Sequence, residues 1–245
     1  MIPAIRQQTI IHMLKEANTI LYLEDLQAAL GISTSTLRRD LRELEAKGQV
    51  NQLHGGGVKL TQNTPELNIT AKLLVNKAAK EKLAAAAASA IEDGDAVFLD
   101  PSSTTLEMIP HLVGRPITVI TNGIFHINQL VSNHIPSIMV GGNIKIATNS
   151  CIGPVAESDM RNYHFNKCFL GANGFSRTSG ITNHDINECL IKQLAIQNSS
   201  KSFFLLDSSK YNVVTMIKVV DLNVPTVFTD KAFPDLIDYN NIVIV

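Results

Sequence analysis

Seven short apolar, β-rich runs recur along the chain: Ala96 to Leu99, Ile117 to Ile120, Ser137 to Val140, Cys168 to Leu170, Phe203 to Leu206, Thr226 to Phe228 and Ile242 to Val245. Most of them run into Asp, Asn or Gly. Helical patterns lie between several, at Thr105 to Leu112, Phe125 to Asn133 and Ile186 to Gln197. Apolar runs that alternate with helices mark a mostly parallel sheet covered on both faces, because a parallel strand is reached only by a crossover. The expected class is therefore α/β, with ligands at the carboxyl ends of the strands. A further helix, from about Lys72 to Ile91, contains Ala84 to Ala88, whose small side chains suit close packing.

The first 57 residues have a different texture, with short helical periods instead of strands. Residues 3 to 17 carry Ile5, Ile10, Ile11 and Leu14 at helical spacing, and Leu23, Leu26 and Leu30 mark a second helix closed by Gly31. A third follows at once, with Ser33 as its N-cap, a Leu37, Leu41, Leu44 stripe, and Gly48 as its stop. Two helices joined by so short a glycine-led turn form a helix-turn-helix, whose second helix enters the major groove of DNA. Its outer face offers hydroxyls at Thr34, Ser35 and Thr36 and long cations at Arg38, Arg39 and Arg42, suited to base edges and phosphates. The alternative for that face is a solvated stripe with Asp40, Glu43 and Glu45 as ionic partners. After it, Val50 to Leu53, His54, three glycines and Val58 to Leu60 spell a strand, a turn and a strand, a β-wing beside the recognition helix. The domain organisation expected is 1–57 for DNA binding, 58–71 as a polar linker containing Pro65, and 72–245 for the α/β domain.

Composition adds exclusions. The chain has 245 residues, 45% of them hydrophobic and 18% charged, enough to build a core without disulfides or metal. Cys151, Cys168 and Cys189 make no C-x-x-C pair and are expected to be buried thiols in a reducing cytoplasm. The amino terminus does not read as a secretory signal, and the longest weakly polar run, Leu83 to Ile91, is too short to span a bilayer. Residues 1 to 60 hold seven Lys/Arg against six Asp/Glu, so affinity for nucleic acid has to come from the placement of three arginines and not from bulk charge.

The strand ends supply the second candidate site. Ala96 to Leu99 runs into Asp100-Pro101-Ser102-Ser103-Thr104-Thr105 and a helix, where hydroxyls and unpaired N–H groups suit an anion such as phosphate. Ile120-Thr121-Asn122-Gly123 and Val140-Gly141-Gly142-Asn143 repeat the pattern of small polar residues after a strand. Glu188 with Lys192 reads as a helix-surface pair, and Lys210 near Asp207 as an ion pair.

Ser33-Thr34-Ser35-Thr36-Leu37-Arg38-Arg39-Asp40-Leu41-Arg42-Glu43-Leu44-Glu45 followed by His54-Gly55-Gly56-Gly57 resembles the signature of DeoR-type transcriptional regulators. The later segments Phe169 to Phe175, Gly180-Ile181-Thr182, Glu188 with Lys192, and Asp207-Ser208-Ser209-Lys210 are similar, in this order, to the effector domain of the same family. The resemblance implies a winged helix-turn-helix repressor of sugar metabolism that binds a double-stranded operator as a homodimer or homotetramer, with no cofactor and no membrane attachment. It also implies a larger domain similar to ribose-5-phosphate isomerase, with a phosphorylated sugar or related metabolite as effector. By position, Ser102, Ser103, Thr104 and Thr105 become the phosphate loop and Asp100, Asn122, Gly141, Glu188 and Lys210 pocket residues. The chain departs from the family pattern at Gln52, where an arginine is common, and at Ser102, usually glycine, after Pro101.

Two other functional classes compete with this reading. A sugar-phosphate isomerase or deaminase needs a carboxylate base over the substrate C–H. The loop Gly171-Ala172-Asn173-Gly174 supplies none, and Glu188 alone fits binding without turnover. A protein-interaction module built on the winged helix would differ from a DNA binder in salt dependence.

Overall fold

Leu37, Leu41 and Leu44 set the shape of the first part of the chain, because a helix that buries this stripe must present its arginines outward. The structure is a computed structural model that describes residues 2–17, 19–46, 49–53, 55–60 and 68–245. The chain divides into two compact units, Met1–Glu66 and Leu67–Val245. In the first, α1 (Pro3–Ala17), β1 (Leu21–Tyr22), α2 (Leu23–Leu30), α3 (Thr34–Ala46), β2 (Val50–Gln52) and β3 (Gly57–Leu60) follow in order. Ile10, Leu14, Leu26, the three leucines of α3, Val50 and Val58 form its core, while Ile5 stays exposed. Helix α2 stops at Gly31, whose left-handed φ of 61° lets its N–H bond the Gln27 carbonyl. β2 and β3 pair as the two strands of the wing, and β1 adds to the other edge of β3. Two residues are too few to show a period, so β1 leaves no mark in the sequence.

Asp40 lies on the inner side of α3. It takes a bidentate ion pair from Arg6 of α1, and both side chains are buried. Gln7 Nε2 donates to Glu43 at 2.6 Å beside it. A planar guanidinium on a carboxylate fixes the relative rotation of two helices as well as their separation.

The segment expected as linker, 58–71, contains most of β3 at one end and the start of α4 (Ile69–Leu74) at the other. Pro65 and the rest of 61–67 lie outside the described residues, as do Gly48 and His54. The single helix expected from Lys72 to Ile91 is two, α4 and α5 (Lys77–Ala88). The break falls at Asn76, which adopts a left-handed φ of 54° and donates from Nδ2 to Asp207 Oδ1 at 2.9 Å. Asparagine is among the few side chains that tolerate this region.

The second unit continues as β4 (Ala96–Leu99), α6 (Ser103–Leu106), β5 (Thr118–Thr121), α7 (Ile124–Ser132), β6 (Ser137–Met139), β7 (Asn143–Lys145), β8 (Ser150–Ile152), α8 (Pro154–Met160), β9 (Phe165–Leu170), β10 (Gly174–Ser176), β11 (Gly180–Asn183), α9 (Ile186–Gln197), β12 (Ser199–Leu205), β13 (Ile217–Val220), β14 (Thr226–Thr229) and β15 (Ile242–Ile244). Among the described residues the main sheet has seven strands, all parallel, in the order β15-β14-β12-β9-β4-β5-β6. These are the seven apolar runs of the sequence, with β9 and β12 extended at their amino ends. Side chains alternate faces strictly. Val97, Leu99, Val119, Phe169, Phe203 and Leu205 pack with Leu83, Ala84, Ala87 and Ala88 of α5, whereas Phe98, Ile120, Cys168, Leu170 and Phe204 pack with α8 and α9. Both faces are covered over the central strands, which is why those runs are unbroken, while the edge strands β6 and β15 leave Ile138, Val243 and Ile244 exposed. From β4 the chain winds toward β6 in one direction and, from β9 onward, toward β15 in the other. The turn-off between β4 and β9 is the switch point where a crevice opens at the strand ends.

Leu41 is fully buried, so Leu41→Ala is expected to cost about 2–5 kcal/mol of the first unit's stability. Chemical denaturation followed by far-ultraviolet circular dichroism measures it, and Arg42→Ala on the outer face serves as the unperturbed control.

Candidate functional site

The first site is the outer face of α3. Ser35, Arg38, Arg39 and Arg42 are exposed along it, and Thr36 is half-buried. The other hydroxyls shape the turn: Ser33 Oγ accepts from the Thr36 N–H at 3.3 Å as the N-cap, and Thr34 Oγ1 donates to Gln27 Oε1 at 2.8 Å on α2. The acidic residues expected as ionic partners are mostly committed elsewhere. Asp40 is turned inward to Arg6. Glu45 accepts from the Gln52 backbone N–H at 2.9 Å and from its Nε2 at 2.8 Å, tying the end of α3 to the wing. Gln52 is thereby spent within the unit. Among the described residues only Arg39 has an acidic neighbour on this face, Glu43 at 3.4 Å, and Arg38 and Arg42 carry no ion pair. His54 lies outside the described residues.

The second site is the crevice at the β4/β9 switch point. Asp100, one residue past β4, is 2% exposed, and its Oδ2 accepts from Lys192 Nζ of α9 at 2.5 Å and from the Gly171 N–H at 3.0 Å. Glu188, one turn earlier on α9, is also buried. Its Oε1 accepts from Lys145 Nζ at 3.1 Å and Thr148 Oγ1 at 2.7 Å, both from the β7–β8 hairpin, and its Oε2 from Asn183 Nδ2 at 2.8 Å. The expectation of a Glu188–Lys192 surface pair is therefore corrected: the two residues share a helix face, but that face is turned to the strand ends and each bonds a different element. Asn122, at the end of β5, donates from Nδ2 to the Cys151 carbonyl at 2.8 Å, and its buried Oδ1 has no partner among the described residues.

The helix expected over Thr105 to Leu112 is also corrected. α6 is a single turn, followed by a 3-10 turn at Ile109–Leu112. So short a helix has little dipole, and an anion here has to be held by individual N–H groups, hydroxyls and cations. Ser102 caps it, accepting from the Thr105 N–H at 3.1 Å, and the Thr105 hydroxyl points inward to the Asp100 carbonyl. That leaves Ser103 and Thr104 as the loop's remaining hydroxyls. Ser102 abuts Gly171, where an added Cβ would lie 2.4 Å from the Ser102 Cβ. Gly141 is open to solvent, while Gly142, at φ 140°, packs so closely that a Cβ would meet the Ile152 carbonyl at 2.8 Å. Gly142 is a packing glycine.

On the far side of β9, Asp207 and Lys210 follow β12. Asp207 is buried, which opposes ionisation, but Lys210, the Ser209 hydroxyl and Asn76 outweigh this and hold its carboxyl below the usual range. Lys80 of α5, not among the residues expected at a site, faces this pair. It is 4% exposed, its Nζ bonds the Lys72 carbonyl, and burial pulls its pKa down to about 8. Its signal was available, since Lys80 sits on the same stripe as Leu83, Ala84 and Ala87. Burial likewise pushes the Asp100 carboxyl up, against the pull of Lys192 and the Gly171 N–H.

Comparison with known proteins decides what carries these two sites. Residues 6–63 match the DeoR-like helix-turn-helix domain and residues 75–231 the DeoR C terminal sensor domain. The chain belongs to the DeoR family. It is 35% identical over 228 residues to the uncharacterized HTH-type transcriptional regulator FruR of Bacillus subtilis (strain 168), covering 93% of this chain and 90% of that protein. It is 34% identical over 214 residues to the lactose phosphotransferase system repressor of Lactococcus lactis subsp. lactis, covering 84% and 82%. A solved ribose 5-phosphate isomerase A from Methanocaldococcus jannaschii is similar over 56% of this chain and 55% of that one, with 17% identity and a TM-score of 0.42. As a DeoR-family member the chain is a DNA-binding transcriptional regulator and not an enzyme. The crevice agrees with that: donors fill three of roughly four lone-pair directions of the Glu188 carboxylate, a poor state for a base that must take a carbon-bound proton. Among the described residues no group of His, Cys, Asp and Glu converges as metal ligands.

Lys80 gives this DeoR-family sensor unit a pH signature. Its folded pKa lies below the unfolded value of 10.5, so the unfolded chain binds the extra proton between about pH 8 and 10.5, and stability rises with pH across that window. Melting temperature measured from pH 7 to 10 is expected to climb from this source, and Lys80→Met to flatten the climb.

Proposed function

We propose that this chain is a cytoplasmic repressor of a carbohydrate-metabolism operon. It binds a double-stranded operator through α3 as a homodimer or homotetramer, and a phosphorylated sugar or related metabolite in the strand-end crevice changes its affinity. The observation that carries the effector reading is the gathering of buried charged groups, Asp100, Lys192 and Glu188, around the β4/β9 switch point, beside the hydroxyls of Ser103 and Thr104. Buried charges are costly to keep unless a fold uses them, and a polyhydroxylated anion matches their chemistry. Lys210 extends the polar edge on one side and Asn122 and Gly141 on the other. The lactose phosphotransferase system repressor among the relatives supports a carbohydrate operon. Among the described residues no helix is long and apolar enough to cross a membrane.

DNA affinity in this reading comes from Ser35, Thr36, Arg38, Arg39 and Arg42, with Ser33 and Thr34 fixing the turn and His54 as a further candidate contact. Two subunits hold two recognition helices at the half-site spacing, and a metabolite that prefers another arrangement lowers operator affinity by that preference. A path for the signal lies inside the second unit. The Ile69 N–H at the start of α4, next to the linker, donates to the Ala147 carbonyl at 2.9 Å, on the hairpin whose Lys145 and Thr148 hold Glu188.

Two experiments test the reading. Replacing Arg38 and Arg39 together by alanine is expected to weaken binding to a selected operator duplex by at least about tenfold and to reduce its salt dependence, with the circular dichroism spectrum preserved. Unchanged affinity would refute the role of α3. In the second, hexose 1- and 6-phosphates, pentose 5-phosphates and the unphosphorylated sugars are titrated against the operator complex. Phosphorylated sugars are expected to shift binding and their parents not. Equal action by the parents would refute a phosphate requirement.

A further inference from the structure

We infer that His126 is a positioning residue of the crevice: its imidazole, reaching across from the next strand–helix unit, donates to Thr105 and fixes the loop from Asp100 to Thr105 in the shape that receives the effector. This rests on the effector reading above.

His126 lies on α7 and is 1% exposed, and its Nε2 is 3.0 Å from the Oγ1 of Thr105, which is fully buried. The direction of that bond follows from where the single Thr105 hydroxyl hydrogen goes. The Asp100 carbonyl is its shortest contact at 2.5 Å, ahead of Ser102 Oγ at 2.9 Å and of the Ser102 carbonyl and His126 Nε2 at 3.0 Å. With the hydrogen directed at that carbonyl, Oγ1 accepts from the imidazole, which assigns the ring hydrogen to Nε2. The ring is neutral, since burial pulls its pKa down to about 3, and no charge is added beside Asp100.

Gly123, at the turn between β5 and α7, completes the brace. An added Cβ there would lie 2.7 Å from His126 Nδ1 and 3.0 Å from the Pro101 Cβ, so ring, turn and loop are in contact. The loop closes on itself elsewhere, with the Ser102 N–H on the Asp100 carbonyl at 2.7 Å and the Thr105 N–H on Ser102 Oγ. A loop held this way gives up no further conformational entropy when a ligand binds, and losing the brace would return that cost to the binding step.

The test uses the full chain and the phosphorylated sugar with the largest effect in the titration above, with inorganic phosphate in parallel. His126→Phe keeps the ring and removes the donor; His126→Gln restores an N–H donor; Thr105→Val removes the acceptor. The concentration giving half the effect on operator binding is expected to rise about tenfold in His126→Phe and in Thr105→Val, the size of one lost buried hydrogen bond. The double variant is expected to be no worse than either, His126→Gln to recover most of the response, and operator affinity without effector to stay unchanged in all. A role in packing alone would lower the melting temperature and leave that concentration where it was, and this outcome in both His126→Phe and Thr105→Val overturns the inference while leaving the effector reading intact. If no phosphorylated sugar acts on the unaltered protein, both fall.

Discussion

The ion pair between Asp100 and Lys192 organises the sensor unit. It stands where the strand order reverses, and it ties helix α9, which the sheet does not hold, to the paired ends of β4 and, through the Gly171 N–H, β9. Taking both charges out of water costs several kcal/mol each, so the pair adds little to stability that an apolar pair would not. What it adds is uniqueness of arrangement. With Lys192 pinned to Asp100, α9 cannot rotate, and Glu188, one turn earlier, must face the β7–β8 hairpin and not solvent. A half-pair would leave an uncompensated charge in the core, so the two groups hold their places together.

The DNA-binding unit solves a related problem with the same device. Helix α3 carries three arginines and three acidic residues within a few turns, and an unsorted mixture would cancel. Arg6 draws Asp40 inward and offsets its charge, and the neutral Gln52 holds Glu45 toward the wing, so that among the described residues Arg38 and Arg42 keep no acidic partner.

Much of this architecture was readable from the residues, and the divisions are physical. Runs such as Ala96 to Leu99 and Thr226 to Phe228 announced strands because both faces of the sheet are buried, and Ile186 to Gln197 matched α9 at both ends. The β7–β8 hairpin and the β10-β11-β13 sheet were missed because their short strands have mixed polarity, unlike the apolar strands of the main sheet, and β13 pairs with a strand far away in sequence. The break at Asn76 depends on a hydrogen bond to Asp207, which no local pattern contains. Glu188 and Lys192 were misjudged for the same reason. Their spacing describes only their own helix, whereas the partners that bury them come from β4, the hairpin and β11. Lys80 and His126 were overlooked although each interrupts an apolar stripe, a pattern in which a polar residue has to be satisfied from outside its helix.

The contact between Ser102 and Gly171 carries an evolutionary consequence. The loops after β4 and β9 approach so closely that there is room for a side chain at one of the two positions and not at both. A glycine at 102 would free the space that forbids a methyl group at 171, and the reverse substitution would be tolerated only afterwards. The width of the crevice at the head of these strands is thus a joint property of two residues distant in the chain. A change at either will be neutral or damaging according to what the other already is, so the order in which mutations arrive limits the ligands to which such a pocket can adapt.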